Sequence, residues 1–242
     1  MIASPTLDAL ARIQARAQDV MQAYRTGGIP SQTDIAPAQR GPEYASDPLS
    51  VAAPPGTYFA IRDRTGAQAY TRDGSFMISS NALSTADGRA VLGYPPGESR
   101  AGAPIPLRVP AGDAALGRCS DIRIESDGTL AYTRTSIDPR TQERSVERIV
   151  AGTLALAKFP AGTQPTRLDA TTVGAPSGIP PHLGKPADGS FAGLAIYARD
   201  TGSVDIDASL NRLSEAYLAF SALHAANKVR GGVEKTTMDL VK

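Results

Sequence analysis

Helical periodicity is confined to the two ends of this 242-residue chain, and the stretch between them alternates with period two. Near the N-terminus Leu10, Ile13, Ala17, Val20, Met21 and Tyr24 draw one apolar stripe, opened by Ser4-Pro5 and closed by Gly27-Gly28. Near the C-terminus Leu210, Leu213, Tyr217, Phe220 and His224 do the same. Gly231-Gly232 falls inside that second run and predicts a bend, a break or a close helix approach, because each glycine costs a helix about 1 kcal/mol relative to Ala. Narrow stripes are not stable alone in water. Each end must therefore pack on the other, on the centre, or on another molecule.

The centre reads as hairpins. "TYFAIRD" (57–63), a turn at Arg64-Thr65-Gly66 and "AQAYTRDGSFMIS" (67–79) read as strand, turn, strand, and "ALSTADGRAVLG" and "DIRIESDGTLAYTR" repeat the form. Asp-Gly pairs at 73–74, 87–88, 127–128 and 188–189 are each read as tight turns rather than as carboxylates of a hydrolase. "RIVAGTLALAKF" (148–159) is apolar enough to be buried on both faces, and the Pro- and Gly-rich stretch 160–190 reads as loops. The expected division is an N-terminal helix (1–28), a linker or extended arm (29–48), a β-rich core (49–205) and a C-terminal helix (206–242).

Composition narrows the function classes. A net charge of +1 with no block of one sign gives no nucleic-acid groove, and no run approaches the roughly 20 apolar residues that span a bilayer. The N-terminus has no basic segment followed by an apolar core, so no Sec signal peptide is expected. Cys119 is the sole cysteine, which excludes an internal disulfide, and nothing beside it supplies a base. His182 sits in a Pro-rich stretch and His224 on an apolar stripe, where packing or an interface role outweighs catalysis. No phosphate-binding loop or nucleophile elbow is present in the sequence. No catalytic residue, cofactor or metal is expected. A carbohydrate-binding module would present exposed aromatics, and the chain has no Trp.

Residues 56–95, "GTYFAIRDRTGAQAYTRDGSFMISSNALSTADGRAVLGYP", resemble the signature segment of the bacterial flagellar rod and hook family. Gly56, Tyr58, Phe59, the run Tyr70-Thr71-Arg72-Asp73-Gly74-Ser75-Phe76, Leu83, Thr85, Asp87-Gly88 and Val91-Leu92-Gly93 fill the places of that signature. Two other segments, 105–132 and 202–241, are similar to later parts of the family more loosely. The terminal motifs depart from it: only Thr26-Gly28 matches the ending of the family's N-terminal motif, and Glu215-Ala216 replaces the C-terminal Gln-Arg.

The resemblance implies a mainly β central domain with N- and C-terminal helices that pair in a coiled-coil-like layer. It implies a structural subunit of the flagellar axial structure, rod or hook, assembling through an interface that includes Leu10, Ile13, Tyr24, Leu213, Tyr217, Phe220 and Leu223. Tyr70, Arg72, Asp73, Gly74, Phe76, Asp87 and Gly88 are then structural residues of hairpins. The implied partners are further copies, other rod and hook subunits, and the flagellar export apparatus. Nucleic acid and direct membrane insertion are not expected. The implied location is the periplasm-spanning basal body, reached without a cleaved signal peptide. The altered terminal motifs keep open an adaptor or regulatory paralogue that retains the β core but does not polymerise.

Overall fold

The computed structural model describes residues 5–22, 27, 41–97, 102–110, 119–137, 142–202 and 206–240, with the helical side chains of 7–21 and 207–229. It is mainly β with a helix at each end. Helix α1 (Pro5–Gln22) begins at the proline, whose missing N–H is no loss in a first turn. Ser4, Tyr24 and Gly28 lie outside the described residues. Helix α2 (Ile206–Leu240) runs through Gly231-Gly232 without a break. The two helices pack against each other and fall in one compact unit; the strands, together with Gly27, form another.

The β unit opens with β1 (Glu43–Tyr44) and β2 (Val51–Ala52), so the segment read as an extended arm already contains a strand. β3 (Thr57–Arg62) and β4 (Gln68–Thr71) form a hairpin, with Gly66 at φ +87° in its turn. β5 (Phe76–Ser79), β6 (Ala82–Thr85) and β7 (Ala90–Tyr94) follow as a meander, with β8 (Ile105–Pro106) beside β7. β9 (Cys119–Ile124), β10 (Thr129–Ile137) and β11 (Arg144–Leu154) make an antiparallel arm. The chain continues through β12 (Leu156–Lys158), β13 (Thr166–Arg167), β14 (Thr172–Gly174), β15 (His182–Gly184), β16 (Ala195–Ile196) and β17 (Ala198–Arg199). Three of these short strands lie inside the stretch read as loops. Their two- and three-residue lengths leave no period for a sequence pattern to display.

The main sheet runs β13-β14-β4-β3-β7-β11-β10-β9, and β12 pairs with both β3 and β15. Period-two alternation sends neighbours to opposite faces, and each face carries a core. On one lie Phe59, Ile61, Ala69, Phe76, Leu83, Val91, Leu154 and Leu156. On the other lie Ala60, Tyr70, Leu92, Tyr94, Ala155 and Ala157. The run from Leu154 to Ala157 is fully buried, as its two-sided apolar pattern predicts. Ala155 donates its N–H to Leu92 and accepts from Ala60, tying the β11 and β12 pairings into one sheet.

The four Asp-Gly pairs divide. Asp87-Gly88 and Asp127-Gly128 turn hairpins, with both glycines at positive φ and the chain closed by Thr85 N–H to Arg89 O and Glu125 N–H to Thr129 O. Asp73-Gly74 does not turn a hairpin, which corrects the sequence reading. β4 pairs with β3 and β14, β5 pairs with β6, and residues 72–75 carry the chain from one ladder to the other. Gly74 is needed there for space instead of for a positive φ. A Cβ on it would sit 1.7 Å from the carbonyl oxygen of Val51, whose N–H bonds Gly74 O at 3.0 Å. Asp188-Gly189 likewise lies in a loop between β15 and β16.

Candidate functional site

The segment from Tyr70 to Phe76 folds as an anchor. Tyr70 and Phe76 point to opposite faces: Tyr70 meets Phe159 edge-on at 5.4 Å in one core, and Phe76 meets Phe59 at 5.1 Å in the other. Burial raises the Tyr70 phenol above its ordinary pKa. Thr71 donates its hydroxyl to Thr171 O and accepts from Asp73 N–H. The Asp73 carboxylate accepts Ser75 N–H at 3.0 Å, an Asx turn that delivers Phe76 to the core.

Arg72 is the centre of a clasp. Its guanidinium donates to Asp200 Oδ2 at 2.6 Å from Nε, with Nη2 of the same group 2.5 Å away. Nη1 donates to Thr57 O at 2.9 Å and to Pro54 O at 3.4 Å. The guanidinium carbon also lies 5.9 Å from the centre of the Tyr58 ring, within cation–π range. Burial raises the Tyr58 phenol, the Arg72 charge opposes it, and the net direction is upward.

Asp200 spends every acceptor it has. Oδ1 takes Gly202 N–H at 2.9 Å, and the backbone carbonyl takes Gly27 N–H at 3.1 Å. Gly27, at φ +65°, lies so close to the anchor that a Cβ would fall 2.4 Å from Asp73 N. The clasp therefore gathers β3, the 70–76 segment, the stretch that follows α1 and the stretch that precedes α2. Asp200 and Gly27 escaped sequence reasoning. A glycine pair after a helix and an Asp-Thr-Gly before one are ordinary punctuation until a partner is seen.

A second tie starts at Arg89, beside the Asp87-Gly88 turn. Its guanidinium pairs with Asp87 at 3.1 Å and reaches Asp169 on the β13–β14 loop and the Thr172 hydroxyl at the start of β14. Partial burial opposes ionisation of Asp169, but Thr171 N–H and the Arg89 charge outweigh it and hold the carboxyl below its ordinary pKa.

On the helices the apolar stripe and the buried face overlap only in part: on α1 Ala17 and Val20, like Ile13, are half-buried. Among the described side chains of α1, Arg16 and Asp19 are the buried ones, 4.0 Å apart, while Ile13 is half-buried. Leu7, Leu10 and Met21 are 64%, 42% and 71% exposed. On α2, Leu213, Phe220 and Leu223 are half-buried, whereas Tyr217 and Leu218 are 63% and 66% exposed and Leu210 and Val229 join them outside. His224 is exposed, its ring tilted against Phe220 at 6.3 Å. Tyr24 lies outside the described residues. His182 belongs to β15 rather than a loop and stacks on Phe191 at 5.6 Å. Cys119 lies on β9, opposite Arg134.

Among the described residues no group of three or more His, Cys, Asp or Glu side chains could hold a metal ion, and no helix is long and apolar enough to cross a membrane. A comparison with curated proteins finds no match. Residues 56–132, from the start of β3 into β10, match the family described as the flagellar hook protein FlgE/F/G D1 domain. That family is one of structural flagellar proteins and not of enzymes. By this match, and by the signature run from Tyr70 to Phe76 that lies within it, residues 56–132 are similar to the D1 domain of flagellar rod and hook proteins.

Proposed function

We propose that the protein is a structural subunit of the flagellar axial structure, rod or hook, and that it assembles through its terminal helices. The observation that carries this reading is the uncovered apolar surface on both helices. Leu7, Leu10 and Met21 on α1 and Leu210, Tyr217, Leu218 and Val229 on α2 are large, apolar and exposed in a single chain. An isolated surface helix hides its stripe; one with apolar residues on more than one face needs more than one neighbour. In this reading Ile13, Leu213, Phe220 and Leu223 form the seam of a coiled-coil-like α1–α2 layer. Leu10, Tyr217 and Leu218 then face the next subunit. Partners are further copies and other axial subunits, with delivery by the flagellar export apparatus to the basal body.

Analytical ultracentrifugation over a concentration series tests it. The full chain should associate as concentration rises, and Tyr217→Ser with Leu218→Ser should weaken association by about tenfold or more. Far-UV circular dichroism of the monomer should stay unchanged, since both side chains are exposed. A parent chain that stays monomeric throughout would sink the assembly reading. It would favour the non-polymerising adaptor, for which Glu215-Ala216 in place of the C-terminal Gln-Arg and an N-terminal motif matched only at Thr26-Gly28 speak.

A further inference from the structure

We infer that Asp200 couples the two chain arms, so that seating the stretch after α1 and seating the stretch before α2 are one event. The inference stands apart from the assembly reading, because every group in it belongs to the β unit.

Its basis is that one residue serves both arms with different atoms. The carboxylate binds Arg72 through Oδ2 and organises Gly202 through Oδ1, fixing the arm that leads to α2. The carbonyl of the same residue receives Gly27 N–H, fixing the arm that leaves α1. Asp200 is 7% exposed, so loss of a partner is not made good by bulk water. Arg72 is itself held on the Thr57 carbonyl, so its head group is positioned before either arm arrives. Gly27 packs against the backbone of Asp73, the residue next to Arg72. Displacing either arm thus removes a hydrogen bond or a packing surface from the other. Charge-assisted contacts of this kind are stronger than neutral ones, and networks that share an atom group loosen together.

The readout is amide hydrogen exchange of the full chain, followed at 25–29, at 199–202 and in β3 and β7 as an internal control. Asp200→Asn keeps the shape and the Gly202 contact but removes the negative charge that faces Arg72. It should speed exchange at 199–202 and also at 25–29 by about tenfold, the effect of losing one charge-assisted bond. Gly27→Ala alters no hydrogen-bonding group of the Arg72–Asp200 pair but drives a Cβ onto the backbone of Asp73 and Arg72, at 2.4 and 2.9 Å, and it should speed exchange at 199–202 as well as at 25–29. Protection in β3 and β7 should remain in both variants. If each variant loosens only its own arm, the coupling is overturned. If both variants strip protection from β3 and β7 too, the clasp is inseparable from the core and the inference also fails.

Discussion

The tetrapeptide Asp-Gly-Ser-Phe occurs twice, at 73–76 and 188–191, and the two copies share chemistry without sharing backbone shape. In both, the aspartate accepts the N–H of the serine two residues on, at 3.0 and 2.8 Å, and the phenylalanine enters the same core. Yet Gly189 lies at φ +88° and Gly74 does not. Aspartates at 47, 63, 127, 169 and 200 cap their loops in the same way. At Asp63 the Thr65 hydroxyl leads in holding the carboxyl below its ordinary pKa. Two glycines after aspartate therefore predict different mutational costs. Gly74→Ala forces a Cβ onto the Val51 carbonyl and should destabilise by about 3 kcal/mol. Gly88→Ala meets no atom within 4 Å but must hold φ +82°, so it should cost about 1–2 kcal/mol. Urea unfolding midpoints at unchanged m separate the two. Equal costs would mean that Gly74 has room the structure denies it.

Between elements, polar ties do the work that short strands cannot. β13 and β14 are two and three residues long, and the Arg89–Asp169 pair fastens their loop to the β6–β7 turn. The Asp169 carboxyl titrates below its ordinary value in the folded chain, so its contribution is complete above about pH 4 and is lost as pH falls through the lowered folded value. The stability gap between the parent and Asp169→Asn should therefore hold steady from pH 7 to about pH 4 and shrink in stronger acid. A gap that already closed by pH 6 would point to a different titrating group. Elements of this sort explain what sequence reading could reach. β3, β4, β7 and β10 are runs of four or more residues, rich in apolar side chains and bounded by turn signals, and are legible, as are the turns at Gly66, Gly88 and Gly128, where a positive φ demands glycine. The role of Gly74 was not legible, because a close approach of Val51 is a long-range fact that leaves no local pattern. The same holds for the Arg72–Asp200 pair, whose members lie 128 residues apart. The full buried face of α1 also escaped, since Ile13, Ala17 and Val20 of its stripe are half-buried and the most buried positions are the polar Arg16 and Asp19.

For the whole molecule, the segment that carries the family match holds only part of each core. Residues 56–132 stop before β11 and β12, and so lack Leu154 and Leu156 for one core and Ala155 and Ala157 for the other. A chain cut after Tyr132 should show no cooperative thermal transition, whereas residues 41–202 should unfold in a single one. Differential scanning calorimetry decides it, and a sharp transition in the shorter fragment would show that β12 is an accessory. The central strand β3 finds its partners at opposite ends of the folding schedule. β4 lies just beyond a tight turn, but Leu156 of β12, which pairs with Phe59, comes only after β4 to β11 have all been laid down, and Val173, opposite Tyr70, comes later still. Closing such long loops costs entropy before any contact rewards it, which slows folding far more than it weakens the folded state. A polypeptide wired this way should be slow to commit, with β3 lacking its last partner until the chain as far as β12 has been made.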